Sequence, residues 1–294
     1  MADSSTQFPM QPVGRPRRLF DRLIHGFTGA TFAEGPLGIA YEESRGVAVD
    51  IVELSKSFGG REVLHDINLN IAAGETFAII GPSGTGKSVL LKHLARLVRP
   101  DHGAITINGW NILTPTPAGS SGGYRYSMVF QSSALFNSLT VGENVGLWLR
   151  EKQVCSEARV RRIIREKLRL VGLSGKEDVA TSNLSGGMKK RVAIARSLAM
   201  NPDLILYDEP TAELDPVTSD ELARVIQDLK KQVNLTTIIV THDLNFAMYL
   251  ADRIAMISDG RIIEVGTPEE IKASQNPVVR NFIYTTTKGL KGED

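Results

Sequence analysis

The chain has 294 residues, of which 42% are hydrophobic, and its formal net charge is +1. This length is enough for one large or two small domains with a sizeable core. The near-neutral charge argues against a dedicated nucleic-acid-binding protein, which usually carries a strong basic excess. The single cysteine, Cys155, excludes an intramolecular disulfide and disfavours a cysteine-ligated metal site.

The sequence contains no apolar run near the roughly 20 residues that a transmembrane helix needs. Its first residues also lack the apolar core of a signal peptide. We therefore expect a soluble or peripheral protein of a reducing compartment, for which any membrane work requires partner chains.

Segment 1–46 is predicted to be an N-terminal extension. Within it, Arg15–Phe27 places its apolar residues on one helical face, with Arg17, Arg18 and Arg22 beside that face. A basic amphipathic helix of this kind can lie on an anionic membrane surface or dock on a partner. A short helix that packs on its own domain explains the pattern equally well, so both interpretations stay open.

The segment that follows is rich in predicted strands. Alternation of apolar and polar residues predicts strands at Val47–Phe58 and Val63–Ile71. The apolar run Phe77–Ile80 predicts a short buried strand, and Gly103–Gly109 predicts a further strand bounded by glycines.

A phosphate-binding loop is predicted at Gly81–Ser88, which reads GPSGTGKS between the strand Phe77–Ile80 and a helical stretch, Val89–Leu94. Its glycines let the backbone turn tightly and bring N–H groups to phosphate oxygens, and the helix adds its positive N-terminal end. Lys87 would contact the β- and γ-phosphates, and the Ser88 hydroxyl would ligate Mg²⁺. The loop therefore indicates a nucleoside triphosphatase.

Helices are predicted after Gln131, at Val141–Arg150 and Ser156–Val171. The second helix carries an apolar stripe, and most of its arginines lie off that stripe. A solvated face is the favoured interpretation of these arginines; a basic face toward phospholipid headgroups is the alternative.

Strands typical of a parallel sheet return later in the chain. Leu204–Tyr207 runs into Asp208 and Glu209, and Thr236–Val240 is followed by Thr241 and His242. In doubly wound α/β folds, ligands bind beyond the carboxyl ends of parallel strands, so the acids, the histidine and the phosphate loop are expected to meet in one crevice.

The end of the chain is predicted to contain a hairpin and then a tail. Arg253–Ile257 and Arg261–Gly266 form the hairpin around Asp259-Gly260. Segment 273–294 is expected to be a C-terminal tail. Its part Asn276–Asp294 is expected to be less regular, with anchors at Pro277, Val278, Val279, Phe282 and Ile283.

Several of these stretches occur in a fixed order that identifies a family. Gln131 follows an apolar run, Leu184–Gly187 (LSGG) opens a helix at Met188–Ala199, and Glu213–Pro216 (ELDP) follows the acid pair. Together with the phosphate loop, they make the region from Val47 to Lys272 resemble the ABC-type ATPases.

The resemblance implies an α/β P-loop NTPase fold of the ABC ATPase type. The ABC ATPase domain would span 47–272, with a mostly parallel RecA-like core, an antiparallel β subdomain and an inserted α-helical subdomain at about 132–190. ATP and Mg²⁺ are the implied cofactors.

The resemblance also implies a role for each matching residue. Glu209 would polarise the attacking water, and His242, Gln131 and Lys87 complete the catalytic set. Mg²⁺ would be held by Ser88, Gln131 and Asp208. The implied nucleotide contacts are Phe58, Gly81, Pro82, Ser83, Gly84, Thr85, Gly86, Lys87, Ser88, Val89, Ser185, Gly186, Gly187 and Asp215.

In this family, two ATP molecules are sandwiched in a head-to-tail dimer, so Ser185 and Gly187 would face the nucleotide of a second subunit, which is expected to be identical. The sequence departs from the common pattern at Met188, at Glu213 and at Phe58, where glutamine, a small residue and tyrosine are more usual. None of these departures removes a catalytic group, so an active ATPase is expected.

The detailed sequence of these motifs resembles that of one subgroup, the ATPases of MCE-associated lipid transporters. The stretches that carry this likeness are GPSGTGKSVLLKHL, VFQSSALFNSLTVGENV, LSGGMKKR and PVVRNF. The likeness implies membrane permease subunits, an MCE-domain lipid-binding protein and a position on the cytoplasmic face of the inner (plasma) membrane. The ATPase of a polar amino-acid or other small-solute importer is the alternative within transport.

A soluble ABC ATPase that acts on nucleic acid or ribosomes is the alternative from a different class. Such proteins usually carry two cassettes or long coiled-coil insertions. This chain has one cassette, no heptad run and no basic excess, so no nucleic-acid partner is expected.

Overall fold

The computed structural model describes residues 44–114 and 124–288. The helix expected at Arg15–Phe27 and most of the N-terminal extension lie outside the described residues, as does the end of the chain beyond residue 288. Among the helices of the described part, none is both long and apolar enough to cross a membrane.

The smaller of two sheets is antiparallel. Its strands are β1 (Val49–Phe58), β2 (Arg61–Ile71), β4 (His102–Ile107) and β5 (Trp110–Asn111). They lie in the order β2–β1–β4–β5. The strands predicted on either side of the phosphate loop are therefore confirmed within one or two residues at their ends.

The larger sheet is mostly parallel. Its strands are β3 (Thr76–Ile80), β6 (Tyr126–Val129), β7 (Leu204–Asp208), β8 (Thr236–Thr241), β9 (Arg253–Ser258) and β10 (Arg261–Gly266). Their order is β10–β9–β3–β8–β7–β6, and only β10 runs antiparallel to its neighbour. The predicted hairpin around Asp259-Gly260 is the β9–β10 pair.

Helices connect and cover these strands. Their bounds are α1 (Lys87–Leu94), α2 (Val141–Glu151), α3 (Glu157–Leu170), α4 (Gly186–Leu198), α5 (Pro216–Gln232), α6 (Leu244–Leu250), α7 (Pro268–Lys272) and α8 (Pro277–Lys288), with a 3₁₀ turn at Thr181–Asn183. The predicted mixture of a parallel core, an antiparallel sheet and inserted helices is confirmed. The exact domain limits stay a prediction.

The core follows from the alternation of side chains along the parallel strands. In β3, Phe77 and Ile79 face the antiparallel sheet and α1, whereas Ala78 and Ile80 face α6, α7 and α8. In β7, Leu206 joins the first of these layers and Tyr207 joins the layer formed by α2–α5. Every strand of the centre is buried on both faces, which explains why these segments are uniformly apolar.

Helix α3 buries the stripe that its sequence predicted, including Val160, Ile163 and Leu168. Its five arginines, Arg159, Arg161, Arg162, Arg165 and Arg169, are exposed. A solvated face and a face toward phospholipid headgroups both require exposed arginines, so their exposure does not distinguish the two interpretations.

The expectation that the chain is less regular after Asn276 is wrong for residues 277–288. Residues 277–288 form α8, with Val279 fully buried and Phe282 nearly so, while Val278 is 43% exposed and is not an anchor. The spacing of Val279, Phe282 and Ile283 is helical, and Pro277 does not interrupt it because proline is tolerated in the first turn of a helix.

Candidate functional site

The phosphate loop lies at the carboxyl end of β3, between β3 and α1. Gly81 has φ of 150°, and a Cβ atom there would lie 2.1 Å from the carbonyl oxygen of Ile257. Gly86 is the N-cap of α1 with φ of 99°, and a Cβ atom there would lie 2.7 Å from a methyl group of Leu64. Both sheets therefore press on this loop, and glycine is required at each position.

Lys87 is held over the loop by backbone carbonyl groups. Its side chain is 5% exposed, and Nζ donates to the carbonyl oxygens of Gly81 and Pro82 at 2.8 and 2.9 Å. Burial lowers the pKa of Lys87, and the negative charges of Glu209 and Asp208 oppose that shift. The ammonium group is thus fixed where a phosphate chain cradled by the loop would lie.

Ser88 and Asp208 place two potential metal-ligating oxygen atoms beside the loop. The Ser88 hydroxyl donates to Oδ1 of Asp208 at 2.7 Å, which connects the start of α1 to the end of β7. Burial raises the pKa of Asp208, and the hydrogen bond from Ser88 opposes the shift. A hydroxyl and a carboxylate are ligand types that Mg²⁺ accepts, so the pair fits that ion.

Glu209 follows β7 directly and has φ of 48°. Its N–H donates to the carbonyl oxygen of Val240 in the adjacent β8, at 2.8 Å. Its Oε2 accepts from Nδ1 of His242 at 2.8 Å, and its Oε1 lies 3.8 Å from Nζ of Lys87. The carboxylate is thereby placed between a buried cation and an exposed imidazole.

Gln131 completes one cleft with these groups. The cleft has a volume of about 330 Å³ and is open to solvent. Its lining residues are Val63, Ser83, Gly84, Gly86, Lys87, Ser88, Val89, Gln131, Glu209 and His242. The structure thus brings together residues from the ends of β3, β6, β7 and β8. The sequence predicted this meeting for the phosphate loop, the acid pair and His242, whereas Val63 was not predicted and Gln131 was implied only by the family resemblance.

Other predicted nucleotide contacts do not line this cleft. Phe58 ends β1 with 47% exposure, and Nζ of Lys56 lies 5.2 Å from the centre of its ring. Thr85 supports the loop from within, because its hydroxyl donates to the carbonyl oxygen of Pro82 at 2.9 Å. Gly81 and Pro82 also lie outside the lining, where their carbonyl oxygens accept from Nζ of Lys87. Ser185, Gly186, Gly187 and Asp215 lie on a separate edge.

That edge is formed by the first turns of α4 and α5. Ser185 caps α4 by accepting from the N–H of Met188, and Asp215 caps α5 by accepting from the N–H of Thr218. A Cβ atom on Gly187 would lie 2.3 Å from Cγ2 of Thr218. The LSGG motif, which was predicted to face a partner, is therefore packed directly against the first turn of α5.

Two cations of α4 were missed as site residues. Lys190, in the LSGGMKKR stretch, is 4% exposed and donates to the carbonyl oxygen of Gln131. Arg196 donates to the carbonyl oxygens of Ser133 and Ala134 at 3.0 and 2.7 Å, and burial lowers its pKa to about 10. Only the placement of Lys190 and Arg196 on the face of α4 that packs on the segment after Gln131 could have indicated this role.

An apolar groove lies beside the segment that follows Gln131. Its volume is about 260 Å³, and most of its surface is apolar. Phe130, Leu135 and Phe136 form one side, and Leu147 and Trp148 of α2 form another. The groove is thus contiguous with the residues that carry Gln131.

Comparisons with known proteins agree with this arrangement. Residues 64–212 match the family described as "ABC transporter". The chain is 40% identical over 242 residues to the "probable ribonucleotide transport ATP-binding protein mkl" of Mycobacterium leprae, covering 81% of this chain and 69% of that protein.

Two other relatives have names that refer to lipids. The chloroplast protein TRIGALACTOSYLDIACYLGLYCEROL 3 of Arabidopsis thaliana is 38% identical, over 96% of this chain and 85% of its own. The "intermembrane phospholipid transport system ATP-binding protein MlaF" of Escherichia coli is 36% identical, over 82% of this chain and 90% of its own.

A solved structure has the same fold. It is described as a dimeric, post-hydrolysis state of an ATP-binding cassette bound to ADP and Pi. It is 32% identical to this chain, with a TM-score of 0.66, and the match covers 75% of this chain and 98% of that one.

Proposed function

Since this chain belongs to the ABC transporter family, in which it is an ATP-hydrolysing subunit, we propose that its ATP hydrolysis drives the movement of phospholipid or another hydrophobic molecule between membranes. The observation that carries the lipid assignment is the similarity to two relatives whose names refer to lipids, one of them over 96% of this chain.

The site residues are proposed to share the chemistry as follows. The backbone of the loop and Lys87 bind the phosphates, and Phe58 stacks on adenine. Glu209 orients and polarises the attacking water, while His242 holds that carboxylate and contacts the terminal phosphate. Support comes from the 2.8 Å contact of Glu209 with His242 and the position of Lys87 3.8 Å from the same carboxylate.

Ser88, Asp208 and Gln131 are the residues that would hold Mg²⁺. When bound, the ion neutralises charge that develops on the β- and γ-phosphate oxygens. The 2.7 Å hydrogen bond between Ser88 and Asp208 supports this assignment, because it places two oxygen donors side by side at the base of the loop.

A second subunit is proposed to complete each nucleotide site. Ser185, Gly186, Gly187 and Asp215 do not line the cleft of their own chain, so they are available to the nucleotide of a partner. The exposed N-terminus of α4 suits a phosphate there. The dimeric cassette with ADP and Pi supports this arrangement.

Membrane partners are also proposed. The apolar groove beside Gln131 offers a docking place for a permease segment, since it is mostly apolar and lies next to the catalytic cleft. The remaining partner would be an MCE-domain lipid-binding protein, and the chain would lie on the cytoplasmic face of the inner membrane.

The experiment that tests this function is purification of the tagged chain from native membranes, followed by identification of the subunits and lipids that co-purify. The recovered complex is then reconstituted in liposomes with a fluorescent phospholipid. ATP-dependent transfer that the Glu209→Gln variant lacks is the expected result. Recovery of ribosomes or nucleic acid without a permease would contradict it.

Transport of a small polar solute is the second candidate, because the mycobacterial relative is named for ribonucleotide transport. The same liposomes separate the two functions. Uptake of a labelled ribonucleotide or amino acid without phospholipid transfer would favour the small-solute importer.

A further inference from the structure

We propose that Lys190 is a positioning residue, which holds the main chain at Gln131 so that the Gln131 side chain stays in the phosphate cleft. The proposal rests on the proposed role of Gln131 in catalysis. It adds a contact between the buried face of α4 and the segment that carries Gln131, which is not part of the nucleotide-contacting motifs.

The first support is the contact itself. Nζ of Lys190 donates to the carbonyl oxygen of Gln131, which is the second residue after β6. Gln131 is exposed and lines the phosphate cleft with Lys87 and Glu209. Because its backbone is fixed from one side by Lys190, its side chain is left free for the cleft.

The second support is electrostatic. Lys190 is 4% exposed, and burial of an ammonium group is unfavourable unless opposite charge or hydrogen bonds compensate. The hydrogen bond to the carbonyl oxygen of Gln131 supplies that compensation. Neither Glu209 nor Glu213 forms an ion pair with Lys190 among the described residues.

The third support is that the far end of the same segment is held independently. Arg196 donates to the carbonyl oxygens of Ser133 and Ala134, both of which have positive φ. Lys190 and Arg196 are six residues apart on α4, about 9 Å along the helix axis. Loss of the Lys190 contact should therefore release Gln131 while the rest of the segment stays in place.

A test compares Lys190→Met with Lys190→Arg and with Lys189→Met. Methionine keeps the length and apolar stem of Lys190 without a donor, and arginine keeps both charge and donors. Lys189 is the adjacent lysine, and its side chain makes no hydrogen bond or ion pair in the described part of the chain, so it is the matched control. Each full-length variant is assayed for ATPase kcat and KM, for thermal unfolding, and for hydrogen exchange of the peptide that contains Gln131.

For Lys190→Met we expect a fall in kcat of about tenfold or more with KM for ATP within about twofold, because positioning is lost while the phosphate loop is intact. Exchange near Gln131 should accelerate in this variant alone. Lys190→Arg should recover most of kcat, and Lys189→Met should match the unaltered protein. Equal kcat in Lys190→Met and Lys189→Met would overturn the proposal, and so would equal losses in the methionine and arginine variants with lowered thermal stability.

A double substitution tests whether Lys190 acts through Gln131. If Lys190 acts through Gln131, the variant with both Lys190→Met and Gln131→Ala should be no slower than Gln131→Ala alone. Additive losses would show that Lys190 acts through Glu209 or Glu213 and would overturn the proposal. Failure of phospholipid transfer with normal ATPase behaviour would instead count against the lipid function, so the two ideas fail separately.

Discussion

Glu209 binds His242 twice through one oxygen: Oε2 accepts from the ring Nδ1 at 2.8 Å and from the backbone N–H at 3.2 Å. Two contacts to one atom leave Oε1 directed toward Lys87 and the phosphate loop, 3.8 Å from Nζ. The carboxylate is thus oriented by the residue that follows β8, and its other oxygen is available to a water molecule.

The Glu209→Gln variant should therefore lose turnover while it still binds ATP. An amide cannot accept a proton as a carboxylate does, so we expect kcat to fall by about a hundredfold or more. Retained ATP should promote dimers, measurable by size exclusion. Glu62 forms a similar contact with His65 at 2.9 Å, outside the cleft. Glu62→Gln is the matched control, and an equal loss of kcat in both variants would contradict the role of Glu209.

The phosphate loop should tolerate alanine differently at its glycines. At Gly81, a Cβ atom would meet the carbonyl oxygen of Ile257 at 2.1 Å, so we expect the free energy of unfolding to fall by about 2 kcal/mol or more. At Gly84, nothing lies within 4 Å and φ is 80°, so only backbone strain of about 1 kcal/mol should appear. Chemical denaturation of both variants measures the difference, and equal losses would show that the Ile257 contact is unimportant.

Helix α8 should stabilise the chain through one face only. Val279 is fully buried against the core, so Val279→Ala should lower the free energy of unfolding by about 2 kcal/mol. Val278, its neighbour, is 43% exposed, and Val278→Ala should change stability by less than about 0.5 kcal/mol. Thermal or chemical unfolding distinguishes them. A small effect at Val279 would mean that α8 is not docked in solution.

The ion pair at the start of α3 should make part of the stability depend on pH. Hydrogen bonds from the guanidinium of Arg150 lower the pKa of Glu157 from 4.5 to about 2. Because the folded-state pKa is depressed, this stabilisation is complete above the unfolded-state pKa near 4.5 and is lost as the pH falls through about 2.

Glu157→Gln should accordingly lower the unfolding temperature at pH 7, and its difference from the unaltered protein should shrink below pH 4.5. Glu151, an exposed acid at the end of α2 with no ion pair in the described part of the chain, is the control. A pH-independent difference for Glu157→Gln would show that the ion pair does not form in solution.

Much of the cleft could be predicted because the positions of its residues follow from their order in the sequence and from the carboxyl ends of the parallel strands. Gly81–Ser88, Asp208, Glu209 and His242 each follow an apolar strand directly, and such strands can be recognised from sequence. The strands determine where these residues lie, so a correct strand assignment also locates the site.

The role of Lys190 could not be predicted in this way. A lysine within MKKR looks like any exposed helical lysine until the helix is packed, because the choice between Lys189 and Lys190 depends on which face of α4 turns inward. Helix α8 was missed for a related reason. The apolar stripe of α8 is short. The surface on which it packs is formed by residues of β9, β10 and α6, and these come together only in the folded chain.

The contact between Gly187 and Thr218 has a consequence for assembly. Thr218 donates to Asp215 through both its N–H and its hydroxyl, and it fills the space where a side chain at position 187 would lie. The edge that a second subunit would meet is therefore preorganised before any encounter, and little conformational entropy is lost there on association. We expect nucleotide occupancy of the opposite cleft, rather than ordering of this edge, to set the lifetime of the dimer.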